Sequence, residues 1–131
     1  MLNLEIVTPE KKVLSEAVDA VTVPTASGEV GILQNHAPLI SSLKAGVLSY
    51  SKAGTTQRMV VAGGFVEVSD NNVSVLSDIA ETADEVNVET ARAEREAAER
   101  ELGAWKGSIE DAETERARRE IAQARLQLAG K

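Results

Sequence analysis

The pattern of the sequence changes once, between residues 82 and 87. Before this point, short alternating apolar segments are separated by turn-forming residues at intervals of about 8–12 residues, as in all-β folds. After it, the chain contains no proline, and Ala, Glu and Arg, which are strong helix formers, dominate to residue 129. The change in period therefore predicts a β part followed by an α part.

The β part, to about residue 80, is predicted to be a sandwich or a barrel rather than a set of βαβ units. Two hairpins show the pattern: segment 46–52 returns in 57–62, and segment 65–68 returns in 73–76. Pro24 is predicted to end the strand that precedes it, because proline cannot donate a hydrogen bond to a neighbouring strand.

The α part is predicted to be an antiparallel hairpin of two helices. Asn87 is the candidate N-cap of the first helix, and the second runs from about Ile109, with Glu110 and Asp111 complementing its dipole. Each helix has one predicted buried stripe: Val88, Ala91, Arg95, Ala98, Leu102 and Trp105 in the first, and Ala117, Ile121, Ala124 and Leu128 in the second. Alanine buries little area, so the hairpin is predicted to detach and re-dock readily.

Composition excludes several classes of function. The net charge of −7 and the pI of about 4.8 oppose general nucleic-acid binding, which needs a basic surface. There is no cysteine and one histidine, so we expect no metal site. The N-terminus lacks the features of a signal peptide, and no run approaches the roughly 20 apolar residues of a membrane span. Any membrane association is therefore expected to come through a partner.

His36 leaves three roles open: a catalytic base with a nearby acid, a structural hydrogen-bonding residue before Pro38, or an interface contact. Gly28, Gly31 and Gly46 are not followed by the Gly-Lys-Ser/Thr of a phosphate-binding loop. No residue is predicted to be catalytic, and the chain is expected not to be an enzyme.

The arginines of the second helix have three interpretations. They form a solvated face with i,i+4 pairs such as Glu115–Arg119, they dock on an acidic protein surface, or they bind a phosphate-bearing ligand. The arginines concerned are Arg116, Arg118, Arg119 and Arg125.

Segment 28–39, Gly-Glu-Val-Gly-Ile-Leu-Gln-Asn-His-Ala-Pro-Leu, resembles the G-x-[LI]-G-[IV]-[LY]-x-x-H-A-P-[LI] signature of the epsilon subunit of bacterial and chloroplast F-type ATP synthases. Segments 63–68 and 72–76 are similar to that family's paired G-G-[FI]-x-x-[VI] and N-x-[VI]-[ST]-[VI]-L motifs. The α part falls where the family has its two C-terminal helices. The resemblance covers the chain essentially from end to end.

The resemblance implies an α+β chain: a ten-stranded β-sandwich over residues 1–84, then a regulatory helix–loop–helix over 85–131. It also implies a non-catalytic place in the central stalk, where the sandwich binds the gamma subunit along its long edge and rests on the ring of c subunits. The c-ring contact falls on Glu29, Val30, Gly31 and His36. The alternatives are a stand-alone enzyme using His36 and a β-sandwich adaptor unrelated to ATP synthase.

The resemblance further implies that the hairpin either folds against the sandwich or extends along gamma towards the alpha and beta subunits. There it restrains ATP hydrolysis, with Arg116, Arg118, Arg119 and Arg125 facing acidic segments. Truncation after Asn87 is expected to release this inhibition without abolishing assembly. The implied location is peripheral, on the cytoplasmic face of the bacterial plasma membrane, or alternatively on the stromal side of the thylakoid membrane.

Some members of that family bind ATP through an I/L-D-x-x-R-A motif at the start of the first helix. The matching segment here, 86–91, reads Val-Asn-Val-Glu-Thr-Ala and lacks both the acid and the arginine. Arg92 lies two residues beyond the expected arginine. We therefore expect no nucleotide and no cofactor.

Overall fold

The computed structural model describes residues 1–110 and 112–130, and these form two five-stranded sheets followed by two helices. Sheet A has the order β2-β1-β9-β8-β5, and sheet B has the order β10-β7-β6-β3-β4. The strands are β1 (Leu2–Val7), β2 (Lys12–Val18), β3 (Ala20–Thr25), β4 (Gly28–Ile32), β5 (Leu39–Ser42), β6 (Gly46–Lys52), β7 (Thr55–Ala62), β8 (Phe65–Ser69), β9 (Asn72–Leu76) and β10 (Ile79–Thr82). A short 3-10 turn, Ala83–Glu85, leads into α1 (Val88–Gly103) and α2 (Glu113–Leu128).

The two sheets enclose one aliphatic core. Alternate residues of strands such as β1, β8 and β9 point inward; in β1 these are Leu2, Leu4 and Ile6. They meet residues from the opposite sheet such as Val23 and Leu48. The predicted ten-stranded sandwich followed by a helical hairpin is thereby confirmed.

Two details of the β part differ from the sequence interpretation. Pro24 does not end its strand, since β3 continues to Thr25. Strand β6 pairs with residues 20–22 of β3 and not with Pro24, so at Pro24 strand β3 has a neighbouring strand, β4, on one side only. A proline, which has no N–H, is tolerated at such a position. Strands β5 and β10 are four residues each, too short for an alternation to identify them individually.

The start of α1 agrees with prediction, and the start of α2 does not. The Asn87 side chain accepts a hydrogen bond from the Thr90 N–H at 2.9 Å, which confirms the N-cap. Among the described residues, the Ala112 N–H donates to the Ile109 carbonyl and the Glu113 N–H to the Glu110 carbonyl, each at 3.2 Å and three residues apart. A bond with the four-residue spacing of an α-helix runs from the Arg116 N–H to the Ala112 carbonyl, at 3.0 Å. Helix α2 therefore begins at Glu113; Asp111 lies outside the described residues.

The predicted stripe of α1 is buried only in part. Ala91 and Ala98 are buried, but Trp105 lies beyond the end of the helix and is 37% exposed. Its indole N–H donates to the Ser108 carbonyl at 2.7 Å, so the ring is held by a hydrogen bond within the segment that follows α1 and is not part of the core.

Helix α2 lies on the outer face of sheet B, and α1 packs on α2. The contact is a small apolar cluster in which Ala124 and Leu128 meet Val60, with Val47 and Val86 around it. None of the described helices combines the length and the hydropathy needed to cross a bilayer.

Candidate docking surfaces

One side of the sandwich, residues 28–42, is an open edge. Strand β4 pairs only with β3 at the end of sheet B, and β5 pairs only with β8 at the end of sheet A. The turn at 33–38 crosses from one sheet to the other. Free N–H and C=O groups of edge strands are available to a partner chain, so we refer to residues 28–42 as the open edge.

The structure places the four predicted c-ring residues along this edge rather than on a single loop. Glu29, Val30 and Gly31 lie in β4, where Glu29 and Gly31 are exposed and Val30 is half-buried against the core. Glu29 is the second residue of β4, and about 10 Å of strand length separates it from Ile32 at the far end. His36 lies four residues beyond that end. The four residues share an edge, but Glu29 and His36 do not meet.

His36 makes local hydrogen bonds and stays half-buried, which is compatible with both the structural role and the interface role left open by the sequence. The backbone N–H of His36 donates to the Leu33 carbonyl at 3.1 Å, and the ring Nδ1 lies 2.7 Å from the Ala37 carbonyl oxygen. Within residues 1–110 and 112–130, no carboxylate hydrogen-bonds to the ring and no cluster of potential metal ligands occurs.

Helix α2 packs on the outer face of sheet B, whereas neither of the two described helices packs on the outer face of sheet A. Val7, Leu76 and Phe65 form one row across β1, β9 and β8. Phe65 and Leu76 are about 40% exposed, and Ile40 on the adjoining strand β5 is 72% exposed. An apolar cleft of about 320 Å³ beside this row is completed by Pro9 and Gly64, among others. We call this surface the sheet A face.

Beside the apolar cluster around Val60, one ion pair among the described residues links the hairpin to the sandwich. The Arg125 guanidinium donates two hydrogen bonds to the Glu81 carboxylate in β10, at 2.7 and 2.9 Å. Both side chains are 25% exposed, and the bidentate geometry makes this pair stronger than an ordinary surface pair. It joins the end of α2 to the edge strand of sheet B.

Arg118 joins the two helices. Its guanidinium donates to Glu94 of α1 and, at 3.3 Å, to Glu115 one turn earlier. The hydrogen bond from Arg118 lowers the pKa of Glu94, and the same bond raises the pKa of Arg118. Glu115 therefore pairs with Arg118, and the predicted pair with Arg119 is wrong.

The remaining two arginines differ. Arg116 binds Glu113 at 2.7 Å and the Ile109 carbonyl at 2.8 Å, so it stabilises the start of α2. Arg119 forms no ion pair with any residue that the structure describes. Of the four predicted inhibitory arginines, three are thus engaged within the chain itself.

The docked contact is confined to the last turns of α2. Between the first half of α2 and the sandwich lies a cavity of about 610 Å³. Its walls include Leu43 and Ile79 of the sandwich and Ala117 and Ile121 of the helix. The predicted stripe of α2 is accordingly buried at Ala124 and Leu128, and only half-buried towards the loop.

Two residues that make long-range contacts at these surfaces, Glu81 and Asn71, could not be identified from the sequence. Glu81 is separated from Arg125 by 44 residues, and a glutamate in a four-residue strand is unremarkable. Asn71 accepts a hydrogen bond from the Asn35 N–H at 2.6 Å, across 36 residues. Only the turn chemistry of Asp-Asn-Asn at 70–72 was visible in the sequence.

Comparison with known proteins agrees with this architecture. Residues 1–83 match the family model of the ATP synthase delta/epsilon chain, β-sandwich domain. The chain is 45% identical over 130 residues to an ATP synthase epsilon chain of Symbiobacterium thermophilum, covering 98% of this chain and 93% of that one. It is 43% identical to an ATP synthase epsilon chain of Nitratidesulfovibrio vulgaris, covering 98% and 96%.

A solved structure shares the fold. One chain of the Euglena gracilis mitochondrial ATP synthase, determined as OSCP, F1 and c-ring, superposes with a TM-score of 0.84 at 24% identity. The superposition covers 99% of this chain and 81% of that chain. From its sequence match over nearly the full length and its sandwich-plus-hairpin fold, the chain belongs to the family of ATP synthase epsilon chains.

Proposed function

We propose that this chain is a rotor subunit of an F-type proton-translocating ATP synthase. In this role it couples proton flow through the c ring to ATP synthesis, and its hairpin limits ATP hydrolysis. The observation that carries the proposal is the 45% identity to an epsilon chain across both the sandwich and the hairpin. Residues 1–84 form the docking domain and residues 85–131 the regulatory domain.

The open edge serves as the c-ring contact, through Glu29, Val30, Gly31 and His36. Support comes from exposure, since Glu29 lies on an edge strand that is paired on one side, where a basic loop can reach its carboxylate. A single exposed ion pair contributes only about 0–1 kcal/mol, so backbone and shape contacts along β4 supply most of the affinity. The negative charge of Glu29 determines how β4 aligns with the basic loop of its partner.

The sheet A face receives the gamma subunit, together with the adjoining strand β5. Exposed Phe65, Leu76 and Ile40 form an apolar surface, and such a surface marks an interaction site when it is contiguous. The opposite outer face is already occupied by α2. Gamma binding on the sheet A face therefore leaves the hairpin free to dock or to leave.

The hairpin acts as a two-state element. In the docked state Arg116, Arg118 and Arg125 are paired within the chain, so they cannot also bind acidic segments of the alpha and beta subunits. Extension breaks the Arg125–Glu81 pair and makes that arginine available, together with Arg119. The balance between internal and external partners then determines how strongly hydrolysis is inhibited.

No nucleotide is required by this mechanism. The Asn87 side chain is used as the N-cap of α1, and Arg92 is exposed on that helix. The complex carries the chain to the membrane, so its place is peripheral, on the cytoplasmic face of the bacterial plasma membrane. The alternative location is the stromal side of the thylakoid membrane.

The direct test is reconstitution of alpha, beta and gamma with and without this chain, with ATP hydrolysis as the readout. Addition of the full chain is expected to lower the hydrolysis rate, and a chain ending after Asn87 is expected to bind without lowering it. Co-elution of the truncated chain with gamma controls for assembly. Equal hydrolysis with the full and the truncated chains would show that the hairpin is not inhibitory.

A further inference from the structure

The turn at Leu33–His36 has little to hold it in place. Its flanking strands β4 and β5 belong to different sheets, so no ladder spans the turn. Inside the turn, the His36 N–H donates to the Leu33 carbonyl at 3.1 Å, and Asn35 has a positive φ of 67°. A turn with one internal hydrogen bond and an exposed surface needs a contact from elsewhere to keep one conformation.

That contact comes from the hairpin turn between β8 and β9. The Asn71 side-chain oxygen accepts a hydrogen bond from the Asn35 N–H at 2.6 Å. The Asn71 carbonyl in turn accepts from the Asn3 N–H at 2.8 Å, which ties the β8–β9 turn to β1. The Leu33–His36 turn is thus attached, through one side chain, to the rigid end of sheet A.

Asparagine suits this position for two reasons. Asp70 and Asn71 have φ of 49° and 63°, the left-handed conformation of a two-residue hairpin turn, which asparagine tolerates better than most residues. Glycine would adopt this backbone equally well but has no acceptor for the Asn35 N–H. Asp70 has the same backbone conformation without a side-chain bond to the Leu33–His36 turn, so it is the natural control.

We propose that Asn71 is a positioning residue for rotor docking: it holds the Leu33–His36 turn, and with it the far end of the open edge, in the conformation that the partner binds. This inference rests on the proposed docking role of the open edge. Asn71 itself need not touch the partner, because its effect passes through the Asn35 N–H.

The test compares the full-length chain with Asn71→Gly, Asn71→Asp and Asp70→Gly. Glycine at 71 keeps the turn backbone and removes the acceptor, whereas aspartate keeps an acceptor oxygen. The readouts are hydrogen exchange of the Asn35 amide and the dissociation constant for a purified gamma–c-ring subcomplex of a bacterial ATP synthase. One lost hydrogen bond is expected to weaken binding by about threefold to tenfold in Asn71→Gly and to speed exchange of the Asn35 amide.

The outcomes separate this inference from the proposed function. Support requires weakened binding in Asn71→Gly, wild-type binding in Asp70→Gly and recovery in Asn71→Asp. Three results would overturn the inference and leave the docking role intact. These are wild-type affinity in Asn71→Gly, an equal loss of affinity in Asp70→Gly, and no recovery of affinity in Asn71→Asp. If the wild-type chain itself does not bind the subcomplex, the docking role fails and the inference fails with it.

Discussion

Replacement of Glu81 by glutamine should undock the hairpin without unfolding it. The Glu81–Arg125 pair has two charge-assisted hydrogen bonds of 2.7 and 2.9 Å and is the ion pair that links the described part of α2 to the sandwich. Such bonds contribute more than neutral ones, but both groups keep a quarter of their exposure, and Gln can still accept one bond. We expect docking to weaken by about 1.5 kcal/mol, which is roughly tenfold in the docked-to-undocked ratio.

Limited trypsin digestion of the isolated full chain measures this ratio. Cleavage after Arg119 and Arg125 requires the hairpin to open, so its rate follows the open population when closing is faster than cleavage. Glu81→Gln is expected to be cut about ten times faster than the wild type. Glu16→Gln is the matched control, because it removes a 3.0 Å surface pair with Lys52 that joins two strands of the sandwich and involves no residue of the hairpin.

The same substitution has a consequence in the assembled enzyme. Releasing Arg125 favours the extended hairpin, so Glu81→Gln should inhibit ATP hydrolysis more strongly than the wild type. Cleavage of Glu81→Gln at the wild-type rate would refute the reasoning about the pair, whatever the effect on hydrolysis. Faster cleavage with unchanged hydrolysis would instead refute the inhibitory role of the hairpin.

Three further perturbations test the packing and the charges. Arg118 lowers the pKa of Glu94, so the interhelical pair should stabilise the hairpin fully at pH values above 4.5, the ordinary pKa of glutamate. This stabilisation should be lost as the pH falls from 4.5 through the lowered pKa of Glu94. Helicity, followed by circular dichroism, should therefore decline below pH 4.5 and not above it. Leu128→Ala should weaken docking by about 2–3 kcal/mol, seen as faster tryptic cleavage of the hairpin. Gly64→Ala should lower the melting temperature more than Gly54→Ala does. Both glycines have a positive φ, but only a Cβ at residue 64 would lie 1.8 Å from a carbonyl oxygen of β9. Equal decreases in melting temperature would contradict this steric explanation.

The division into sandwich and hairpin was predictable because each half has a consistent period. Alternating segments such as 46–52 and 57–62 became β6 and β7, and Asn87 became the N-cap of α1. Strands β5 and β10 were not individually predictable, since four residues give no alternation to detect and their pairing partners are distant in sequence.

The arrangement of the candidate surfaces was less accessible from sequence. Segment 28–39 was visible as a motif, but the pairing of residues 28–32 with β3 puts Glu29 near the start of β4 and leaves His36 beyond its far end. The arginines were visible as a group, yet their partners depend on how α2 lies on sheet B. Long-range pairs such as Glu81–Arg125 have no local pattern, because the fold alone brings the two residues together.

Proton-driven ATP synthesis is the measurement that shows whether this chain couples proton flow to catalysis. Membrane vesicles containing an F-type ATP synthase that lacks its epsilon subunit are energised with a pH gradient, and ATP formation is measured before and after addition of this chain. The full chain is expected to bind and to restore gradient-dependent synthesis, and Glu29→Ala is expected to restore it less well. Synthesis at the same rate with and without the bound chain would contradict a coupling role.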